Sequence, residues 1–220
     1  MKRITQMILV LTCCASLAAA QSAETDPVPG GGFRTADQNY FLVPSTQTLP
    51  AGGVSLSNID VMVFNLDVGL GSTTQFSLYG TLPTTRWNDS FFMYGIKQNL
   101  WRGQSTSAAV LLLDSPTDRN VFGGAVFSYG DRTNISVGPV VAVDYAGNIE
   151  PTAVIGFKVD PAEHLAFMAD AILPTGSVGL RWYGEHIALD LGGYFIIEAF
   201  GNSTVHDRTF MPFVKLQYLF

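Results

Sequence analysis

The sequence has little charge and, beyond its first twenty residues, no cysteine. Charged residues make up 14% of the 220 residues, against about 25% in soluble domains. Both cysteines, Cys13 and Cys14, lie in the N-terminal segment. A chain without that segment forms no disulfide and has no cysteine nucleophile or metal ligand. Acidic residues outnumber basic ones by 18 to 12, so the chain has a net charge of -6. A negative protein repels phosphates, which excludes a nucleic-acid partner.

Long hydrophobic runs are also missing after the N-terminus. The longest, such as residues 108–113, are far shorter than the roughly 18 residues of a transmembrane helix. Yet hydrophobic residues make up 47% of the chain. The apolar side chains therefore either fill a large core or face lipid in some other way than on a helix.

The first twenty residues have the pattern of a secretory signal peptide. Lys2 and Arg3 precede an apolar core at 7–11, and small residues at 18–20 form a cleavage site. We predict cleavage after Ala20.

Residues 21–50 differ in composition from the rest of the chain. They contain Pro27, Pro29, Gly30, Gly31, Gly32, Pro44 and Pro50. Such a stretch has poor potential for regular structure. We expect an irregular N-terminal periplasmic segment here, followed by one β-domain over residues 51–220.

From Val54 onward, runs of β-forming residues alternate with turn-forming clusters, which is typical of antiparallel strands joined by tight turns. The predicted strands are 53–63, 66–70, 75–82, 91–101, 105–114, 119–128, 132–144, 149–159, 163–173, 176–183, 186–199 and 208–220. Splitting 53–70 near Asn65 gives twelve strands, the even number required if both termini lie on one side of a membrane. The loops at 83–90 and 200–207 then face outward and the short turns face the periplasm.

Alternation within 175–199 separates an apolar face from a small and polar one. Leu180, Trp182 and Leu191 belong to the first face, and Arg181 and Asp190 to the second. A lipid-facing wall around a wet lumen needs this pattern, although a soluble barrel could bury the same apolar face.

The C-terminal strand ends in alternating apolar residues, Leu216, Tyr218 and Phe220. This resembles the last strand of bacterial outer-membrane β-barrels, which ends in an aromatic residue. The resemblance implies a Gram-negative outer-membrane protein whose partners are outer-membrane lipids and the barrel-assembly machinery, with these three residues as the assembly signal. The block at 39–53 is similar to a segment that precedes the barrel in some small proteins of this class.

Aromatic residues cluster at the predicted strand ends, where amphipathic rings prefer the membrane–water interface. They are Trp87, Phe91, Phe92, Trp101, Tyr129, Tyr145, Trp182, Tyr183 and Phe200. Together these patterns predict an all-β protein, an antiparallel transmembrane β-barrel of twelve strands, with ten as the alternative.

Ionisable residues on the inner face form a predicted lumenal charge network. Its members are Lys158, Asp170, Arg181, Asp190, Glu198 and Lys215. We expect Lys158 near Asp170, and Arg181 between Asp170 and Asp190. Such a network either fills a narrow barrel and holds its strands together by salt bridges, or forms a charged constriction that filters small solutes.

The sequence predicts no enzyme, no cofactor and no metal site. The histidines, His164, His186 and His206, have no metal-ligand spacing. Ser177 and His164 are expected near opposite ends of the barrel, too far apart for a serine hydrolase site. The predicted function is a narrow passive pore or a structural envelope role. The alternatives are a soluble lipocalin-like barrel for a small apolar ligand and a lipid-modifying barrel enzyme.

Overall fold

The structure is a computed structural model that describes residue 34 and residues 37–60, 63–81, 92–196 and 210–220. The strands in these residues are β1 (Val54–Ile59), β2 (Val63–Gly69), β3 (Thr74–Thr81), β4 (Phe92–Arg102), β5 (Thr106–Ser115), β6 (Asn120–Tyr129), β7 (Thr133–Asp144), β8 (Ile149–Ala162), β9 (Leu165–Ile172), β10 (Thr175–Tyr183), β11 (Ile187–Ile196) and β12 (Met211–Leu219). Each strand pairs antiparallel with its neighbours in sequence, and β1 pairs with β12. The predicted all-β, twelve-stranded antiparallel barrel is confirmed.

The chain closes the barrel at its C-terminus. Residues 215–219 of β12 pair with residues 55–59 of β1, and the Phe220 N–H donates to Val54 O at 2.8 Å. A wall in contact with hydrocarbon must have no row of unpaired backbone groups, and a closed sheet meets this requirement.

The predicted break between the first two strands is wrong. The sequence favours a break near Asn65, but Asn65 lies inside β2 opposite Ser57. The chain leaves β1 at Asp60, which has a φ of 51°. Its N–H donates to Val214 O at 2.9 Å, and its Oδ1 accepts from the Val214 N–H at 2.8 Å. Aspartate tolerates this left-handed conformation better than most residues do, and the two bonds hold it there.

Short turns connect the strands at the end of the barrel that also holds the C-terminus, here called the C-terminal end. They span residues 70–73, 103–105, 130–132, 163–164 and 184–186. Gly130 has a φ of 104°, and a Cβ there would lie 1.8 Å from Thr133 O. Only glycine fits this turn. The two loops predicted to be longest, 83–90 and 200–207, lie outside the described residues.

The outer face of the wall is apolar. Exposed large side chains on it include Leu56, Phe127, Ile135, Val137, Ile155, Phe167, Leu180, Leu191, Val214 and Leu216. Trp101, Tyr129 and Trp182 are exposed near the C-terminal end, whereas Phe92 and Tyr145 are exposed near the other end. In the described part of the chain, no helix is long and apolar enough to cross a bilayer.

One residue of the predicted aromatic set lies on the other face. Tyr183 points inward and is 2% exposed, because it has the parity of Arg181 rather than that of Trp182 on β10. Trp87, Phe91 and Phe200 lie outside the described residues.

Candidate functional site

The inner wall has two different arcs. On β1 to β4 the buried inward side chains are mostly polar, and they include Ser55, Ser57, Asn65, Asp67, Gln75, Ser77, Lys97 and Asn99. On β5 to β8 many are apolar, and they include Ala109, Leu111, Val126, Val140 and Val154. Any group that fills the lumen must therefore satisfy buried polar atoms on one side and pack against aliphatic side chains on the other.

Residues 37–50, here called the plug, fill this lumen. Before the plug, Arg34 forms an ion pair with Asp160 near the turn between β8 and β9. After its deepest part, the Thr48 hydroxyl donates to Ser72 O in the turn between β2 and β3 at 3.4 Å. Both arms of the plug thus leave the lumen by the C-terminal end. The sequence predicts an irregular periplasmic segment over 21–50; residues 37–49 are irregular but have their partners on the inner wall.

The tip of the plug is a tight turn held by Asp170. The Tyr40 N–H donates to Val43 O at 2.8 Å. The N–H groups of Leu42 and Val43 both donate to Asp170 Oδ2, at 2.6 and 2.8 Å. Ser177 donates its hydroxyl to the other oxygen of the same carboxylate. Hydrogen bonds to a carboxylate are stronger than neutral ones, so Asp170 fixes the tip.

Arg181 holds the arm that enters the lumen. Its Nε and Nη2 donate to Asp190 Oδ1 and Oδ2 at 2.7 and 2.8 Å, a bidentate pair in which both side chains are 1% exposed. Its Nη1 donates to Asn39 O at 2.8 Å, and its Nη2 also contacts Tyr40 O at 3.4 Å. The guanidinium therefore neutralises a wall carboxylate and binds the plug backbone at the same time.

Lys97 binds the same arm from the opposite side of the lumen. Its Nζ donates to Gln38 O at 2.7 Å. Asp67, two strands away on β2, accepts hydrogen bonds from Asn65 Nδ2 at 2.8 Å and from Ser77 Oγ. Asp67 also accepts from the plug side chain of Gln38, at 3.4 Å from its Nε2. The charged wall residues therefore bind polar side chains of the plug as well as its backbone.

Apolar plug residues pack against the wall. Val43 is fully buried, and the Phe41 ring meets the Phe213 ring edge-on with centroids 5.1 Å apart. The Tyr40 ring lies over Gly156, where a Cβ would be only 2.7 Å from ring atom Cε2. The absence of a side chain at residue 156 leaves the space that this ring occupies.

A second charge cluster lies at the C-terminal end. Lys158 Nζ lies 3.4 Å from Asp37 Oδ1 and 3.7 Å from Asp160 Oδ2, and the Arg34 guanidinium stacks 4.2 Å over the Tyr183 ring. Burial lowers the pKa of Arg34, but the charge of Asp37 and other neighbours raises it by more, so the net shift is upward. Arg34 therefore stays charged and ties the start of the plug to the wall.

The structure brings only part of the predicted charge network together. Arg181 and Asp190 are paired, and Lys215 faces Asp190 across β11 and β12. Lys158 and Asp170 lie on adjacent strands with an offset of two residues, since Lys158 pairs with Met168 and Asp170 with Gly156; the ion-pair partners of Lys158 are Asp37 and Asp160. On β10, Arg181 pairs with Ala166, and Asp170 with Ser177. Glu198 lies outside the described residues.

Sequence reasoning missed Lys97, Asp67 and the plug itself. Asp67 shares the inward parity of Asn65, and Lys97 that of Gly95, which would have placed both in the lumen. The apolar run at residues 40–43 inside a proline- and glycine-rich stretch was the available signal for a buried segment.

The structure does not assemble the serine hydrolase constellation considered above. Ser177 pairs with Asp170 on β9, whereas His164 precedes Leu165, which pairs with Trp182. Five residues of strand separate the two levels, or about 16 Å. His164 Nδ1 lies 3.1 Å from Tyr183 O instead. In the described ranges, no group of three histidine or acidic side chains could hold a metal ion.

The residues of the predicted assembly signal lie on the outer face. Leu216, Tyr218 and Phe220 are 52%, 40% and 70% exposed. The rings of Tyr218 and Phe220 meet edge-on with centroids 4.6 Å apart. They form an accessible apolar strip on the strand that closes the barrel.

Comparisons with known proteins give a likeness of shape. No protein-family model matches the chain, and no curated protein sequence matches it. A solved structure of the NanC porin, in a rhombohedral crystal form, is similar with a TM-score of 0.45 and 8% identity, over 76% of this chain and 97% of that one. A likeness of this size gives no information about function.

Proposed function

We propose that the protein is an integral β-barrel of a Gram-negative outer membrane, that residues 1–20 direct its export and are then removed, and that the plug gates a narrow passive pore. An apolar outer face, aromatic residues near both rims and a wall without open edges support the membrane location. A soluble lipocalin-like barrel fits less well, because the space for an apolar ligand is filled by the chain's own residues.

One observation carries the gate. Within the described residues, hydrogen bonds between strands and residues 37–49 all involve wall side chains such as Lys97, Asn99, Asp170 and Arg181. No backbone–backbone hydrogen bond joins those plug residues to a strand there. The plug can therefore leave while the backbone ladder of the wall stays intact. Because many contacts hold it, the closed state is the resting state.

A disulfide that locks the plug tests this proposal. Thr46 Oγ1 and Ser107 Oγ lie 2.6 Å apart, one on the plug and one on β5. Side chains this close suit a disulfide, whose Cβ atoms lie about 3.5–4.5 Å apart. We expect the wild type and the reduced Thr46→Cys/Ser107→Cys variant to conduct in planar bilayers, and the oxidised variant to lose at least about nine-tenths of its opening events.

The matched control is a disulfide on the outer face of the wall. Phe127 and Val137 pair directly between β6 and β7, and both are exposed on the face away from the plug. The Phe127→Cys/Val137→Cys variant should conduct equally in both redox states. Unchanged conductance in the oxidised plug variant would reject the gate. A folded, heat-modifiable wild-type barrel that never conducts would favour the structural envelope role instead.

Assembly gives a separate prediction. The exposed C-terminal aromatic strip supports recognition by the barrel-assembly machinery, and Phe220 also donates the last hydrogen bond to Val54. Deleting Phe220 should reduce the outer-membrane level several-fold and cause periplasmic accumulation, measured by fractionation and immunoblotting. Phe210→Ala is the control and should leave the level unchanged, because Phe210 is 59% exposed immediately before the same strand. Normal levels of the truncated chain would contradict the assignment.

A further inference from the structure

A cavity of about 50 Å³ lies beside the plug tip, between the plug and strands β1, β2, β3 and β12. Lys215, Ser57, Asn65 and Tyr79 supply its polar lining, and Asn39 and Leu42 of the plug form part of the opposite side. One water molecule needs about 10–15 Å³ of such space. The cavity can therefore hold a group of several water-sized atoms.

Lys215 is a buried cation without an ion-pair partner in the described part of the chain. Arg181, Asp190 and Lys215 face one another at one level of three adjacent strands, so two cations share one carboxylate. Both oxygens of that carboxylate are bound by Arg181. No ion pair among the described residues includes Lys215, although it is only 3% exposed.

The remaining lumenal carboxylates have other partners. Asp170 lies three strands away on β9 and binds the plug tip. Asp67 on β2 accepts from Asn65 and Ser77. The ammonium of Lys215 thus has a nearby cavity rather than a dedicated anion.

Two further groups of the lining lack partners. Ser57 Oγ and Asn65 Oδ1 are buried and make no hydrogen bond in the structure. Asn65 and Ser57 pair directly between β1 and β2, and Lys215 lies next to them on β12 through its pairing with Ile59. Asn65 Nδ2 is already used on Asp67, so the amide offers the cavity an acceptor. A hydroxyl can donate or accept.

We propose that this cavity is a binding site for a small hydroxyl-bearing oxyanion of the size of bicarbonate. Lys215 supplies the compensating positive charge, Ser57 donates a hydrogen bond to an anionic oxygen, and Asn65 Oδ1 accepts from the anion's hydroxyl. Water could satisfy the hydrogen bonds but would leave the buried ammonium without an anion in contact, and buried charges are stable when they are paired. The three groups that bind the anion belong to the wall, and the plug closes the other side of the cavity, so the site exists when the plug is in the lumen.

The experiment compares anions of equal charge and similar size. Thermal unfolding of the full-length protein in detergent is followed at pH 8 and constant ionic strength, with gluconate, which is too large for the cavity, as the background anion. Bicarbonate at about a hundredfold excess over its dissociation constant should raise the unfolding midpoint by about 5–10 °C. Nitrate, which has no hydroxyl, should bind about tenfold more weakly, the effect of about one lost hydrogen bond.

Two variants that each remove one cation assign the effect to the cavity. Lys215→Met should lose the bicarbonate shift, whereas Arg132→Met should keep it, because Arg132 is exposed in the turn between β6 and β7, on the opposite side of the barrel from β1 and β12. Anomalous diffraction from a bromide-soaked wild-type crystal should show a peak beside Lys215 Nζ, independently of any variant.

Three results would overturn the site. They are the absence of a bicarbonate shift in the wild type, an equal shift in Lys215→Met, and no bromide peak in the cavity. Equal affinity for nitrate would remove the assigned hydroxyl and leave the proposal of a hydroxyl-bearing anion wrong.

Discussion

Asp190→Ala is expected to destabilise the barrel by about 3–5 kcal/mol, the effect of leaving a buried charge without its partner. In the structure Asp190 lies between Arg181 and Lys215, so its removal leaves two buried cations at one level. The midpoint of denaturant unfolding in detergent measures the effect. Asp131→Ala, at an exposed turn carboxylate, is the control and should shift it little.

The sequence predicts the opposite order of effects. It places Arg181 between Asp170 and Asp190, so that Arg181→Ala would leave two carboxylates facing each other and cost the most. The observed register instead places Lys215 across from Asp190. In Arg181→Ala, Lys215 can pair with the carboxylate that Arg181 leaves, so we expect a smaller loss than in Asp190→Ala.

The double variant gives the sharper comparison. Arg181→Ala/Asp190→Ala should be more stable than Asp190→Ala alone, because it removes one of the two uncompensated cations. If the stability losses of the two single variants add up in the double variant, or if all three variants show equally small losses, the charges do not share one level of the lumen.

Gly156→Val is expected to open the pore. The Tyr40 ring lies where the new side chain would be, with 2.7 Å between an ideal Cβ and Tyr40 Cε2. The Tyr40 hydroxyl also donates to Asn134 Oδ1 at 2.6 Å, so the ring cannot move away without losing that bond. Overpacking of this kind costs about 1–3 kcal/mol. If that strain acts on the closed state, the open probability in planar bilayers should rise by about 5- to 150-fold.

Gly123→Val is the matched control for this change. A Cβ at Gly123 would meet only Leu112 Cδ1, at 3.9 Å, so valine there should leave the plug in place. An unchanged open probability in a correctly folded Gly156→Val barrel would show that the packing of Tyr40 against residue 156 does not control the opening of the pore.

The wall could be predicted from the sequence because its pattern is local. Alternation assigned Arg181, Asp190 and Lys215 to the inner face, and all three are buried there. Register is less local: an offset of two residues decides whether Lys158 is directly opposite Asp170 or Met168, and both of these residues have the same inward parity. In the observed register, Lys158 forms its ion pairs with Asp37 and Asp160.

The plug could not be predicted in the same way. It has no period of two or 3.6 residues, and its partners lie far along the chain: Arg181 binds Asn39 across 142 residues of sequence. Wall residues bind its backbone, which every sequence has, and polar side chains such as those of Gln38 and Thr46, which are equally common in exposed linkers. Only the apolar character of residues 40–43 distinguished it from an exposed linker.

The hairpin path of the plug has a mechanical consequence. Both arms leave by the C-terminal end, so tension applied to Arg34 along the barrel axis would load the contacts in series. The ion pair with Asp160 would break first, then the contact between Asp37 and Lys158, and only then the bonds of Arg181 to the carbonyls near the tip. A hairpin loaded in this way peels at low force, whereas a segment threaded straight through the barrel would have to shear all of its contacts together.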